Sequence, residues 1–196
     1  MAKINISYPI LVVIFTLLIS THTNAVNAKK YLDEDELCLK REKLAKIFFH
    51  AHDIAGGPNG TVYEIARASI TTDDLFSFGR VQVFDGVMTE GPNRSSAVLG
   101  KVQGILTSAD MKTTAMAMSF NVVFTTGEFN GSTVSVAGRN PVLEPLRRLA
   151  VVGGTGAFRF TRGYINVQTY STSFVDSVFF ANFMYTIHAT YCPTKM

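Results

Sequence analysis

The sequence predicts an all-β domain, and we favour a closed up-and-down barrel over a sandwich. After residue 44, alternating apolar and polar residues are separated by Gly-, Pro- and Asn-rich turn segments, with no convincing long amphipathic helix. The last predicted strand, residues 177–191, alternates an apolar or aromatic face with a mixed one. So long a strand suits sheet closure, which removes exposed edges. Periodicity alone leaves the sandwich open.

Nine segments have strand character, and the segments between them are rich in turn residues. The predicted strands are residues 45–54, 61–69, 80–85, 98–107, 115–124, 132–137, 149–152, 158–170 and 177–191. Eight or nine strands at this spacing are typical of a barrel or a sandwich.

Residues 1–25 are predicted to be a secretory signal. Lys3 supplies a positive charge ahead of the apolar run at residues 10–19, and small residues end the segment. Ten apolar residues rise only about 15 Å as a helix, against roughly 30 Å for a hydrocarbon core, so we expect no membrane anchor. A charged arm at residues 26–44 and one barrel domain at residues 45–196 then complete the chain.

Charge and cysteine content narrow the classes of function. Outside the charged arm the chain is sparsely charged, and it has no basic face interleaved with aromatic residues, so we expect no nucleic-acid partner. Cys38 and Cys192 are the two cysteines. In an oxidising compartment such a pair is most simply a disulfide, with two free thiols as the alternative. Asn59, Asn93 and Asn130 each begin a glycosylation acceptor sequence within a turn segment.

Several motifs follow one another in a fixed order. They are His52-Asp53-Ile54, Thr89-Glu90-Gly91-Pro92, Val102-Gln103-Gly104, and residues 128–133, 138–142, 151–160 and 162–164. In this order and spacing the chain resembles the plant dirigent proteins, in the branch with a Gly-Arg-Asn-Pro motif. The resemblance implies an eight-stranded antiparallel barrel with a pocket inside, usually assembled as a homo-oligomer such as a dimer or trimer. It also implies a secreted protein of the apoplast or cell wall.

The resemblance also implies a function. Dirigent proteins impart stereoselectivity on the coupling of phenoxy radicals, as in lignan formation from coniferyl alcohol, while a separate laccase or peroxidase makes the radicals. We therefore expect a small phenolic substrate and no cofactor. Two alternatives stay open: a dehydratase similar to the pterocarpan synthases, acting through a quinone methide, and a lipocalin-like carrier of small phenolics.

Asp53 is the first candidate for a site residue. It matches the aspartate of the family's His-Asp-Ile motif, and in a strand it shares a face with the apolar residues Ile47, Phe49 and Ala51. A carboxylate that faces an apolar cavity is harder to ionise and can exchange a proton with a phenol or quinone methide. The alternative is that Asp53 caps the following turn.

Arg147 matches a family arginine and offers fixed donors for a substrate oxygen; a solvated surface pair with Arg148 is the alternative. Asn140 occupies the position of a second pocket aspartate in lignan-forming relatives, and Leu106 that of a tyrosine in many members. Both departures weaken the case for acid-assisted cyclisation. Asp85 is either a second pocket acid or a turn cap.

The histidines raise a weaker possibility. His50 and His52 share a strand face and could form a metal site with His188, but the sequence marks no further ligands or supporting partners. We therefore predict no metal site.

Processing can be checked directly. The secreted protein should begin at Val26 and carry a glycan on at least one of Asn59, Asn93 and Asn130, because signal peptidase and the glycosylation machinery act in the same pathway. Mass spectrometry of secreted material measures both. A secreted protein that retains Met1 would contradict the signal prediction.

Overall fold

The computed structural model describes Cys38, residues 41–74 and residues 76–193. All of these belong to one compact unit, Glu34–Met196. The predicted signal segment and its cleavage site lie outside the described residues. No helix in the part of the chain that is described is long and apolar enough to cross a membrane.

The described chain consists mainly of β-strands. They are β1 (Lys43–Ala55), β2 (Val62–Arg67), β3 (Arg80–Thr89), β4 (Val98–Ser108), β5 (Ala115–Phe124), β6 (Thr133–Pro141), β7 (Arg147–Thr155), β8 (Gly163–Val175) and β9 (Val178–Tyr191). A short 3₁₀ turn, Gly156–Phe158, connects β7 to β8. Each predicted segment corresponds to one of these strands, although β3 and β6 run several residues further than the alternation predicted.

The strands close into a barrel in chain order, so the predicted fold class is confirmed. Neighbouring strands are antiparallel apart from a single parallel contact between β1 and β2. These two strands share one place in the ring, because β2 pairs with residues 80–84 of β3 and β1 pairs with residues 87–89 of the same strand. The barrel therefore has nine strands in eight positions, because β1 and β2 together occupy one position.

Inward-facing side chains fill one end of the barrel. Phe84 in β3 and Phe120 in β5 have ring centroids 6.0 Å apart. Gly104 lies on the strand between them, where a Cβ would come within 2.5 Å of the Phe120 Cα, so only glycine allows this packing. The end near Tyr191 is closed by four aromatic side chains, those of Phe124, Phe129, Phe158 and Tyr191. The opposite end, where β1 finishes and β9 starts, is not filled in this way.

The predicted disulfide is confirmed, with the two sulfur atoms of Cys38 and Cys192 2.05 Å apart. Lys43 at the start of β1 lies opposite Tyr191 at the end of β9, so two cysteines that lie just beyond these strand ends meet beside the closed end of the barrel. The bond joins positions separated by 154 residues.

Replacement of both cysteines with alanine should keep the barrel and lower its free energy of unfolding by roughly 2–5 kcal/mol. The physical reason is that the unfolded chain regains the entropy of a very long loop. Urea denaturation of the oxidised protein and the double variant measures the difference, with the reduced wild type as a control. Coincident denaturation curves for all three would contradict the prediction.

Candidate functional site

The open end of the barrel contains a cavity of about 690 Å³, a size suited to a small organic ligand. Inward-facing residues of the strands form most of its wall, which is largely apolar. β7 pairs with β8 only as far as Val167, and beyond that point residues 142–145 form part of the rim. The charged side chains that line the cavity are Asp53, Glu144 and Arg147.

Asp53 lines the cavity from β1, as the strand alternation predicts. Its carboxylate makes no hydrogen bond to a described residue and lies against β3 at Gly86, where a Cβ would be 2.6 Å from Asp53 Oδ1. The following turn is fastened by another residue, since the Ile54 amide donates to the Thr61 hydroxyl (2.9 Å). Burial raises the pKa of Asp53 from 3.8 to about 7, so both of its protonation states are populated near neutral pH.

Arg147 is buried in the cavity wall and is 1% exposed, so it is not a surface residue. Its Nε donates to the Val167 carbonyl (3.3 Å) and its Nη1 to the Val142 carbonyl (2.9 Å). Nη2 is buried without a hydrogen-bond partner among the described residues. Burial lowers the pKa of the guanidinium, yet an arginine stays charged. One donor group of this fixed cation is therefore left unpaired inside the cavity wall.

Asn140 and Leu106 also line the cavity. The Asn140 side-chain amide donates to Met118 Sδ (3.0 Å), while its Oδ1 is buried without a partner among the described residues. Asn140 therefore offers a neutral acceptor and cannot supply a second acid. Leu106 is buried and apolar, so this part of the wall contributes shape alone.

Several other polar residues of the wall belong to no motif, and two of them, Tyr185 and Gln82, are buried. Tyr185 in β9 stacks on Phe49, with centroids 5.2 Å apart and an interplanar angle of 10°. Its hydroxyl makes no hydrogen bond within the described chain. Gln82 in β3 is buried and lies in register with Leu106. The alternation of apolar and polar residues along β3 and β9 could have predicted that both side chains face inward. It does not indicate which inward-facing side chains line the cavity.

The histidines of β1 lie on the outside of the barrel and are nevertheless buried. His50 Nδ1 is 2.9 Å from Asn182 Oδ1, and His52 Nε2 is 2.7 Å from the Thr89 hydroxyl. His188 is stacked on Tyr164 instead. Among the described residues no cluster of side chains suited to holding a metal ion is found. His50 and His52 therefore connect β1 to β9 and to the last residue of β3.

Asp85 lies outside the cavity, which corrects the suggestion of a second pocket acid. It is in the middle of β3, half exposed, and its Oδ2 accepts from Lys101 Nζ (3.0 Å). It caps no turn, because β3 continues to Thr89. Arg148 points outward beside Arg147 and donates to Asn166 (3.1 Å). The two arginines thus have separate environments on opposite faces of β7.

Asn59, Asn93 and Asn130 are exposed residues in turns between strands. Asn93 is partly engaged, since its Oδ1 accepts from the Ser95 amide (3.0 Å). These positions are compatible with the glycosylation that the acceptor sequences predict.

The sequence comparisons agree on one family. The Dirigent-like protein family matches residues 44–189. Dirigent protein 11 of Arabidopsis thaliana is 46% identical over 139 residues, which cover 71% of this chain and 72% of that protein. Pterocarpan synthase 1 of Glycine max is 42% identical over 139 residues, covering 70% and 75% of the two chains.

Solved structures also resemble this barrel. One pterocarpan synthase dirigent protein has a TM-score of 0.74 and 35% identity, covering 83% of this chain and 99% of its own. A second has a TM-score of 0.71 and 36% identity, covering 80% and 99%. Because sequence motifs, barrel topology and the family match coincide over most of its length, this chain belongs to the plant dirigent protein family.

Proposed function

We propose that this protein binds a phenolic substrate in the open end of the barrel and imparts stereoselectivity on phenoxy-radical coupling. A separate laccase or peroxidase supplies the radicals, and coniferyl alcohol is a representative substrate. The observation that carries the proposal is the cavity itself: an apolar enclosure with a few polar groups at fixed places on its wall. Such an enclosure orients a flat aromatic molecule without taking part in its oxidation.

Orientation is sufficient for this function. Two radicals that couple in water meet through either face and give a racemic product. If one is held with a single face accessible, the approach to the other face is blocked, and fixed geometry also favours the coupling step itself. Arg147 Nη2 and Asn140 Oδ1 are a donor and an acceptor in the wall without partners among the described residues, and a small turn of either side chain toward the ligand would let it fix that orientation.

A second function is favoured by one specific observation: the Asp53 carboxyl lines the cavity without a hydrogen-bond partner in the described chain, and burial raises its pKa to about 7. A carboxyl group that is partly protonated at neutral pH suits general acid–base catalysis. In a dehydration, protonated Asp53 gives its proton to a leaving hydroxyl, which departs as water, while the substrate phenol releases its proton to solvent water and becomes a quinone methide. A second hydroxyl then adds to the quinone methide and passes its proton to the Asp53 carboxylate, and the phenolate that results takes a proton back from solvent water. The names of pterocarpan synthases among the relatives support this candidate.

We also propose that the protein is secreted to the apoplast and assembles as a homo-oligomer, a dimer or a trimer. The disulfide suits an oxidising compartment. Apolar side chains on the outer face of the barrel, such as Ile105 and Val152, are exposed in the single chain and could be covered by a second copy.

One assay separates these functions. The protein is incubated with coniferyl alcohol with and without laccase, and separately with an isoflavanol, and the products are resolved by chiral chromatography. We expect an enantiomeric excess in the laccase-driven products, because the cavity presents one face of the bound substrate. Conversion of the isoflavanol without any oxidase would instead identify a dehydratase. If the protein binds these phenols but gives neither an enantiomeric excess nor isoflavanol conversion, both functions are contradicted and the protein is a carrier of small phenolics.

Asp53→Asn tests the role of the carboxyl in the same assay. The folded variant should lose most of the enantiomeric excess if the carboxyl orients the phenol, or most of the dehydration if it transfers a proton, since the amide keeps the size of the side chain but has neither the charge nor the proton of the carboxyl. The matched control is Asp85→Asn, which makes the same change at an exposed residue of β3. Full product selectivity in folded Asp53→Asn would show that the carboxyl has no part in the reaction.

Asp53 should also make stability depend on pH. Because folding raises the pKa of Asp53, the ionised carboxylate lowers the free energy of unfolding above about pH 7. The stability of the protein therefore increases as the pH falls through 7 towards 4. Asp53→Asn removes that cost, so it should stabilise the barrel by roughly 1–3 kcal/mol at about pH 8 and much less at about pH 4.

Thermal or urea denaturation at the two pH values measures this effect. Asp85→Asn should give similar differences at both, since Asp85 is half exposed and paired with Lys101 at the surface. An Asp53→Asn variant that is less stable than the wild type at about pH 8 would contradict the conclusion that burial destabilises the Asp53 carboxylate.

A further inference from the structure

One aromatic side chain of the described cavity lining comes from outside the strands, that of Phe76. It belongs to the connection between β2 and β3, of which residues 68–74 and 76–79 are described. Its side chain is partly buried and packs against the hydrophobic core. The other aromatic residues of the lining all lie on β8 and β9, and they are Tyr170, Phe179, Phe183 and Tyr185. Phe76 therefore adds a ring to a different part of the wall.

Arg80, the first residue of β3, fixes the stretch of chain that leads to Phe76. The residue is 7% exposed, and its Nη2 donates to the carbonyl oxygens of Thr72 and Asp74, each at 3.0 Å. Its Nη1 forms an ion pair with Glu64 of β2. One buried guanidinium thus attaches the connection to both of the strands that it joins.

Local hydrogen bonds carry this attachment as far as Phe76. The Asp74 carbonyl, which accepts from Arg80, also accepts from the Ser77 amide (3.1 Å). The Asp74 carboxylate accepts from the Phe76 amide (3.3 Å), and Ser77 Oγ accepts from the Thr72 amide (2.9 Å). The backbone on both sides of Phe76 is therefore held to Asp74, and Asp74 is held to Arg80.

The stability of the barrel does not by itself account for Arg80. Removing a cation from water costs free energy, and a buried ion pair often stabilises a fold no more than apolar residues of similar volume would. Arg80 Nε is in addition buried without a partner among the described residues. The hydrogen bond that Arg67 donates to Glu64 lowers the pKa of that carboxyl, so Glu64 stays ionised beside Arg80. What this arrangement provides is a fixed position for the connection.

We propose that Phe76 is a specificity-determining residue, which limits the size of the planar phenol that the cavity accepts, and that Arg80 is the positioning residue that holds it in place. The inference rests on the proposed function for the class of ligand. An apolar pocket discriminates between ligands by about tenfold or more for each methylene group that does not fit, so one ring in the wall is enough to exclude a larger phenol.

The test compares two probes, 4-ethylphenol with one ring and 4-phenylphenol with two. Equilibrium dialysis at about pH 6, where both phenols keep their proton, gives the ratio of the two affinities. The variants are Phe76→Ala, Arg80→Met and the two changes combined. Arg162→Met is the matched control, because it removes an arginine that is paired with Glu42 at the closed end.

We expect Phe76→Ala to raise the affinity for 4-phenylphenol relative to 4-ethylphenol by roughly tenfold, because the larger probe gains room. Arg80→Met should shift the ratio in the same direction. The combined variant should match Phe76→Ala, since Arg80 has no ring left to position. Arg162→Met should leave the ratio unchanged. Circular dichroism checks folding, and Arg80→Lys, with one nitrogen in place of the guanidinium fork, replaces an Arg80→Met variant that does not fold.

Two results would overturn the inference. An unchanged ratio in folded Phe76→Ala would mean that the ring does not limit ligand size. Additive shifts in the combined variant would mean that Arg80 acts on the cavity by a route other than Phe76.

Failure of the proposed function gives a different result. A protein whose affinity ratio depends on Phe76 and Arg80, but which neither steers coupling nor dehydrates an isoflavanol, would retain this inference and reject the function. A wild-type protein that binds neither phenol would reject both.

Discussion

The antiparallel pairing of β1 with β9 determines where most other features of the molecule lie. It runs in register along all of β1, from Lys43 opposite Tyr191 to Ala55 opposite Phe179. This ladder joins the first and last strands and so removes the two edges that an open sheet would expose. It also places the start of β1 and the end of β9 at one end of the barrel, where the disulfide can form, and sets the inward phase of Asp53 and Tyr185 together. A shift of β1 by one residue along β9 would turn Asp53 outward while Tyr185 still faced inward.

The sequence predicted the parts of this structure that depend on local alternation and on motif order. The inward direction of Asp53 follows from the period of two in β1, and the barrel follows from repeated strands and turns. The position of Asp85 could not be predicted in this way, because the alternation breaks off before the strand does and the residue looks like the end of β3. The unpaired hydroxyl of Tyr185 could not be predicted from the sequence either, since it depends on which side chains from distant strands share one level of the barrel.

The adjacent β1 residues His52 and Asp53 make different contacts with β3, one on the outer face of the barrel and one on the inner face. His52 contacts Thr89 outside the barrel, and Thr89 in turn donates to the Gly91 carbonyl (2.8 Å). Asp53 faces inward and lies against Gly86 of the same partner strand. The His-Asp-Ile and Thr-Glu-Gly-Pro motifs are therefore spatial neighbours, which gives a structural reason for both.

The aromatic cluster around Phe158 closes one end of the barrel, so the cavity opens only at the other end. A molecule that reaches the cavity cannot pass through, so entry and exit share the mouth bordered by residues 142–145. When two molecules are to meet inside, they must arrive in sequence, and the earlier one occupies the deeper position. In the proposed coupling, the depth of each reactant, and therefore which face it shows to the other, would be governed by order of arrival as well as by the polar groups of the wall. The product of that coupling would also have to leave before the next pair enters, so a tightly held product would limit turnover.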